Sequence, residues 1–124
     1  MTGSLRVWCL TALAAVFAAG AQGQSAYPVK PVRIVIGLGP GTLDTMARLL
    51  ARSLGQDLGT SFVVENRQGA GGTIGASVVA RAEKDGYTLG MVSSGPLSIN
   101  PSVFSRLPYD PVRDFTPVTQ GTLY

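Results

Sequence analysis

The chain of 124 residues predicts an α/β fold, a doubly wound and mainly parallel sheet. Three observations carry that expectation. Apolar, β-branched runs alternate with stretches of helical periodicity in the order βαβαβ. The first run, "VRIVIGL", has almost no polar break, as expected of a strand buried on both faces. Each strand-like run also ends in a short junction of small, glycine-bearing residues.

Along the chain, "YPVKP" (Tyr27 to Pro31) reads as an extended lead-in, because each proline disfavours helix in the residue before it. The strand "VRIVIGL" follows, then the tight loop "GPGT". From Leu43 to Leu58, Met46, Ala47, Leu50, Leu54 and Leu58 recur at three- and four-residue spacing, an amphipathic helix stopped near Gly59. "SFVVEN" is the second strand. After a glycine-rich loop, Ile74, Val78, Val79 and Ala82 mark a second helix from about Thr73 to Lys84, ended by "DG". "YTLGMVSS" is the third strand, "GPLSINPSVFSRL" a loop with a short helix, and "PYDPVRDFTPVTQ" a Pro-punctuated surface connection leading into one more strand.

In such sheets ligands sit outside the carboxyl ends of the strands. Those ends here are "GLGPGTLD", "NRQGAGGT" and "SSGPLS". Helix N-termini with free N–H groups attract anions, and glycine lets a ligand approach the backbone. Three such junctions on one edge read as an anion-binding rim, against the plainer reading of ordinary βα turns.

The N-terminus carries one cation, Arg6, before the uncharged run "VWCLTALAAVFAAGA". Ala19, Ala21 and Gly23 then fit a signal-peptidase pattern, which predicts a signal peptide over residues 1–21 with cleavage after Ala21 or Gly23, and export. The apolar run is shorter than the ~20 residues a spanning helix needs, and no stable membrane insertion is expected after cleavage.

Composition excludes several chemistries. The single cysteine, Cys9, lies in the removed segment and there is no histidine. Hydrolytic triads, zinc sites and Cys–His pairs are therefore excluded, and no metal, cofactor or catalytic residue is expected. The net charge of +3 comes from scattered Lys and Arg rather than a basic stripe, so nucleic acid is not an expected partner.

Individual residues keep two readings each. Asp44, at the start of the first helix, either caps it or bonds a ligand amine or loop backbone. Ser93 and Ser94 either donate hydroxyls to a carboxylate or cap the next turn. Arg67 is either solvated or paired with Glu65 or Asp44. A dinucleotide site competes for the first loop: "GLGPGT" approaches G-x-G-x-x-G, and Glu65 lies about 20 residues on. Thr42 occupies the last glycine place, and Pro40 withdraws an N–H from the cradle. The charged group Tyr109, Asp110, Arg113 and Asp114 sits in the Pro-rich connection and reads as surface.

The segments "VVENRQGAGGTIGA", "DGYTLGMVSSG", "NPSVF" and "LPYDPVRDFTPVT", in this order, resemble the tripartite tricarboxylate transporter substrate-binding receptors, the Bug family of periplasmic receptors. The resemblance spans essentially all of residues 27–124 and matches only the N-terminal portion of that family. It implies the first lobe of a two-lobed, non-catalytic periplasmic binding protein that closes over a small organic carboxylate and delivers it to membrane permease subunits. Its first two loops are implied to approach the carboxylate with backbone groups and bound water. The implied ligand-binding set is Gly41, Thr42 and Asp44 in the first loop, Gly69, Ala70, Gly71, Gly72 and Thr73 in the second, and Ser93 and Ser94 at the third strand end.

The first loop departs from the family pattern. "IGLGPGTLD" puts Ile36 and Gly37 where the family usually has Pro-Phe, and Pro40 at an expected glycine. Family members are also more than twice as long, so the resemblance implies a partial lobe over residues 27–124, incomplete as it stands. The competing expectations are a nucleotide-binding, Rossmann-like oxidoreductase fragment and a truncated product without function.

Overall fold

The computed structural model describes residues 27–121. Three strands form one sheet in the order β2-β1-β3, with β1 at Val32–Ile36, β2 at Phe62–Asn66 and β3 at Thr88–Met91. Both pairings are parallel, in registers that set Val32 against Phe62 and Arg33 against Thr88. Helix α1 (Thr42–Leu58) joins β1 to β2, and α2 (Thr73–Ala80) joins β2 to β3. A π-helical turn at Gly95–Ile99 runs into the four-residue α3 (Asn100–Val103).

Placing β3 beyond β1 makes the second crossover return over the first strand. Right-handed crossovers then put the two helices on opposite faces, which is the doubly wound arrangement. Side chains bear this out. Ile34 and Ile36 pack with Ala47 and Ala51 of α1, flanked by Leu43, Phe62, Val64, Leu89 and Met91. On the other face, a Cβ built on Gly90 would stand 3.1 Å from the Val79 side chain of α2. Burying Ile34 and Ile36 stabilises the fold by roughly 1.5–3 kcal/mol each.

The periodic stripe expected on α1 is offset. Leu50 and Leu58 are exposed, and the buried positions are Asp44, Ala47 and Ala51. Two alanines over β1 let the helix lie close to the strand, so the contact line follows small residues rather than the leucines. Helix α2 ends at Ala80 instead of near Lys84, because Ala82 donates to the Val79 carbonyl in a tightened last turn. Ile74, expected on its apolar face, is exposed and folds over Gly69.

Residues 104–121 hold no strand among the described residues, so the expected fourth strand is not seen there. Nor is this connection all surface. Tyr109 is buried, donates from its hydroxyl to the Pro96 carbonyl at 2.7 Å, and meets Phe115 edge-on. The signal peptide expected over residues 1–21 lies outside the described residues. Among the described residues no helix is long and apolar enough to cross a membrane.

Candidate ligand-binding rim

Because all strands are parallel, β1, β2 and β3 deliver their carboxyl ends to one edge, and the three small-residue junctions meet there. The first two interlock through glycine. A Cβ on Gly37 would stand 2.6 Å from the Gly72 carbonyl oxygen, and one on Gly75 would stand 2.5 Å from the Gly37 Cα. Gly72 also lies under Pro96 of the third junction. Part of the glycine content thus serves loop-to-loop packing rather than ligand access.

The second junction is a left-handed turn. Ala70, Gly71 and Gly72 have φ of 47, 60 and 89°, and Gly72 donates to the Gly69 carbonyl at 3.0 Å. Positive φ favours glycine, and Ala70 adopts it at a cost of roughly 1 kcal/mol. Ala70 and Gly71 are exposed, whereas Gly72 and Thr73 are buried.

Gly41 differs from its neighbours. Its backbone is extended (φ 166°) and nothing lies within 4 Å of a Cβ built there. It precedes α1, whose first turn has no side-chain cap. Neither conformation nor packing within the described residues requires glycine at this position; its effect is to leave the helix N-terminus open. Thr42 beside it is exposed.

Asp44 makes no cap bond, and its carboxylate is engaged within the chain. Its carboxylate accepts from Arg48 Nε at 2.8 Å and Nη2 at 3.0 Å, and from Asn66 Nδ2 at 2.9 Å. The Arg48 guanidinium and then the Asn66 carboxamide hold the Asp44 carboxyl below the usual carboxylate range. Asn66 also donates to the Leu38 carbonyl at 3.1 Å, so loop backbone is reached through Asn66 rather than through Asp44 itself.

Ser94 sits at the start of the π-helical turn without a side-chain cap bond and is exposed; Ser93 is half-buried beside it. Arg67 pairs with Glu65, which also accepts from Arg33 at 3.4 Å. That arrangement engages the acid a dinucleotide ribose would need. Among the described residues no group of three or more acidic, His or Cys side chains is arranged to hold a metal ion.

Two residues that the sequence did not single out organise this edge. One is Asn66. The other is Asn100, buried at the start of α3, which donates to the Gly71 carbonyl at 3.3 Å and to Thr73 Oγ1 at 2.9 Å. The signal available for Asn66 was its place as the last residue of a strand, where a carboxamide can satisfy loop carbonyls. For Asn100 no local signal existed, because its partners lie 27 and 29 residues away.

A parallel sheet whose strand ends open onto glycine-bearing helix starts is a ligand-binding α/β arrangement, and its solved likenesses include a periplasmic binding protein. Residues 46–122 match the tripartite tricarboxylate transporter family receptor, and the chain belongs to that family. The match begins at Met46, so it does not include Gly41, Thr42 and Asp44. Over 95 residues the chain is 43% identical to protein BugT of Bordetella pertussis, covering 75% of this chain and 29% of that protein. The R. palustris protein Rpa4515, solved with adipate, is 42% identical with a TM-score of 0.72 over 74% of this chain and 31% of its own. MatC of Rhodopseudomonas palustris, solved with bound malate, is 40% identical with a TM-score of 0.70 over 74% and 32%. The chain spans less than a third of the length of each of these relatives.

Proposed function

We propose that this edge takes a carboxylate of a small organic acid, as one wall of the cleft of a periplasmic solute-binding receptor. The observation that carries the reading is the uncapped start of α1, left open by Gly41 on the same edge as the left-handed Ala70–Gly72 turn. Backbone N–H groups at a helix start favour anions. The set toward the ligand is Gly41 and Thr42, Gly69 to Thr73, and the hydroxyls of Ser93 and Ser94. Asp44 acts behind them by holding Arg48 and Asn66.

The chemistry of the relatives supports this class: the family is named for tricarboxylates, and adipate and malate are dicarboxylates. The receptor would be exported by residues 1–21, would work in the periplasm without catalysis, and would hand its ligand to the permease subunits of a tripartite transporter. Residues 27–124 would form part of its first lobe.

A single open wall cannot enclose a ligand as pockets normally do, so affinity in the millimolar range is expected. The test is an NMR titration of the ¹⁵N-labelled chain with adipate, malate and citrate, with NAD as contrast. Shift changes confined to residues 41–44, 69–73 and 93–94 are expected with an acid. Changes centred elsewhere, no changes with any acid, or saturable binding of NAD would overturn the reading.

A further inference from the structure

We infer that Asn66 and Asn100 are positioning residues, whose carboxamides fix the three loops of the rim in place before a ligand arrives. The inference rests on the proposed carboxylate rim for its functional meaning, but its structural content stands without any ligand.

Three glycine-bearing loops would ordinarily carry a large conformational freedom, lost again on binding. Hydrogen bonds within the chain tie these loops together without using any ligand atom. Asn66, the last residue of β2, uses one Nδ2 group for two acceptors, the Leu38 carbonyl at 3.1 Å and Asp44 Oδ1 at 2.9 Å. Its Oδ1 accepts from Arg48 Nη2 at 3.3 Å. One side chain thereby ties the end of β2 to the β1–α1 loop and to the first turn of α1. Asn100 does the equivalent on the other flank. Standing at the start of α3, it reaches back to the Gly71 carbonyl and the Thr73 hydroxyl and ties the third junction to the left-handed turn. Between the two carboxamides, the Gly37, Gly72 and Gly75 backbones are already in contact.

The chemistry calls for a carboxamide at residue 66. Its partners are a carbonyl and a carboxylate on one side and a guanidinium on the other, so the side chain must both donate and accept. A neutral planar amide does both. An aspartate would accept only, and would set a second carboxylate against Asp44.

The test reads backbone ¹⁵N order parameters of the chain without ligand. In the wild type, Leu38, Gly39, Gly41 and residues 70–72 are expected near the rigid value of about 0.85 found in β1. Asn66→Ala is expected to drop residues 38–41 below about 0.6, and Asn100→Ala to do the same for 70–72, with β1 unchanged in both. Asn66→Asp, nearly the same shape, should reproduce the first loss and serves if the alanine variant does not fold. Loops that stay rigid in the variants, loops already mobile in the wild type, a loss shared equally by the strands, or failure of Asn66→Asp to fold would each overturn the assignment. If the loops behave as expected but adipate, malate and citrate leave the spectrum unchanged, the carboxylate reading falls and the positioning role stands.

Discussion

Gly75 and Gly37 meet backbone to backbone: a Cβ on Gly75 would lie 2.5 Å from the Gly37 Cα and 3.2 Å from the Arg67 carbonyl oxygen. This contact brings the start of α2 against the end of β1 and sets how near two junctions of the rim can stand. Main chain surrounds the site, and main chain cannot rotate out of the way as a long side chain can.

Gly75→Ala is therefore expected to destabilise the fold by about 1–3 kcal/mol, the usual cost of forcing an extra carbon into a filled site. Gly41→Ala, whose methyl enters open space on extended backbone, should cost under about 1 kcal/mol, the difference between glycine and alanine before a helix. Urea unfolding of the two variants checks this contrast. The Gly41 variant should nonetheless weaken the response to adipate and malate, because its methyl occupies the approach to the α1 N-terminus.

The left-handed turn offers a second contrast. Gly71 has φ of 60°, and an added Cβ would find only ordinary contact, 3.6 Å from Asn100 Nδ2. Gly71→Ala should therefore pay mainly the left-handed backbone cost, about 1 kcal/mol. Ala70 already bears that cost at φ 47°. Ala70→Gly relieves it while adding chain freedom in the unfolded state worth about 0.5–1 kcal/mol, so the two effects nearly cancel. Gly71→Ala is the reverse exchange and gains in the unfolded state part of what it loses in the turn, so thermal unfolding should place both variants close to wild type, in contrast to Gly75→Ala.

Acid should loosen the Asp44 network. The folded-state pKa of Asp44 is depressed, first by the hydrogen bonds from Arg48 and then by the one from Asn66. A depressed carboxyl contributes stability that is present above the unfolded value near 3.9 and is lost as pH falls through the lower folded value. Asp85, held down by the Tyr87 amide and Lys30, and Asp110, held down by the Arg113 and Val112 amides, act in the same direction. Melting temperature is thus expected to fall in that acid range, and Asp44→Asn should show a smaller fall than wild type. Equal acid sensitivity in the two proteins would remove Asp44 from the account.

Much of this architecture was readable before any coordinates, for identifiable reasons. The run "VRIVI", four β-branched residues broken only by Arg33, read as a strand buried on both faces, and β1 is central. Arg33 is the exception, reaching out to Glu65 and Thr88. The expected stripe of leucines was less reliable. Periodicity marks a helix and its approximate face, but the line of closest approach depends on where the sheet lies, and Ala47 and Ala51 occupy it.

The sequence by itself determined the alternation of strands and helices, the three small-residue junctions and the membership of the receptor family, because these depend on local pattern. Only the tertiary structure decided what each junction residue does. It separated Gly37, Gly72 and Gly75, which allow loops to touch, from Gly41, which leaves a helix end open. It also turned Asp44 from a cap into the anchor of Arg48 and Asn66, and brought Asn100 to the left-handed turn. The physical reason is the same in each case. A glycine or carboxamide looks alike in any loop, and its role is set by backbone atoms and polar groups that become its neighbours only when distant segments pack together.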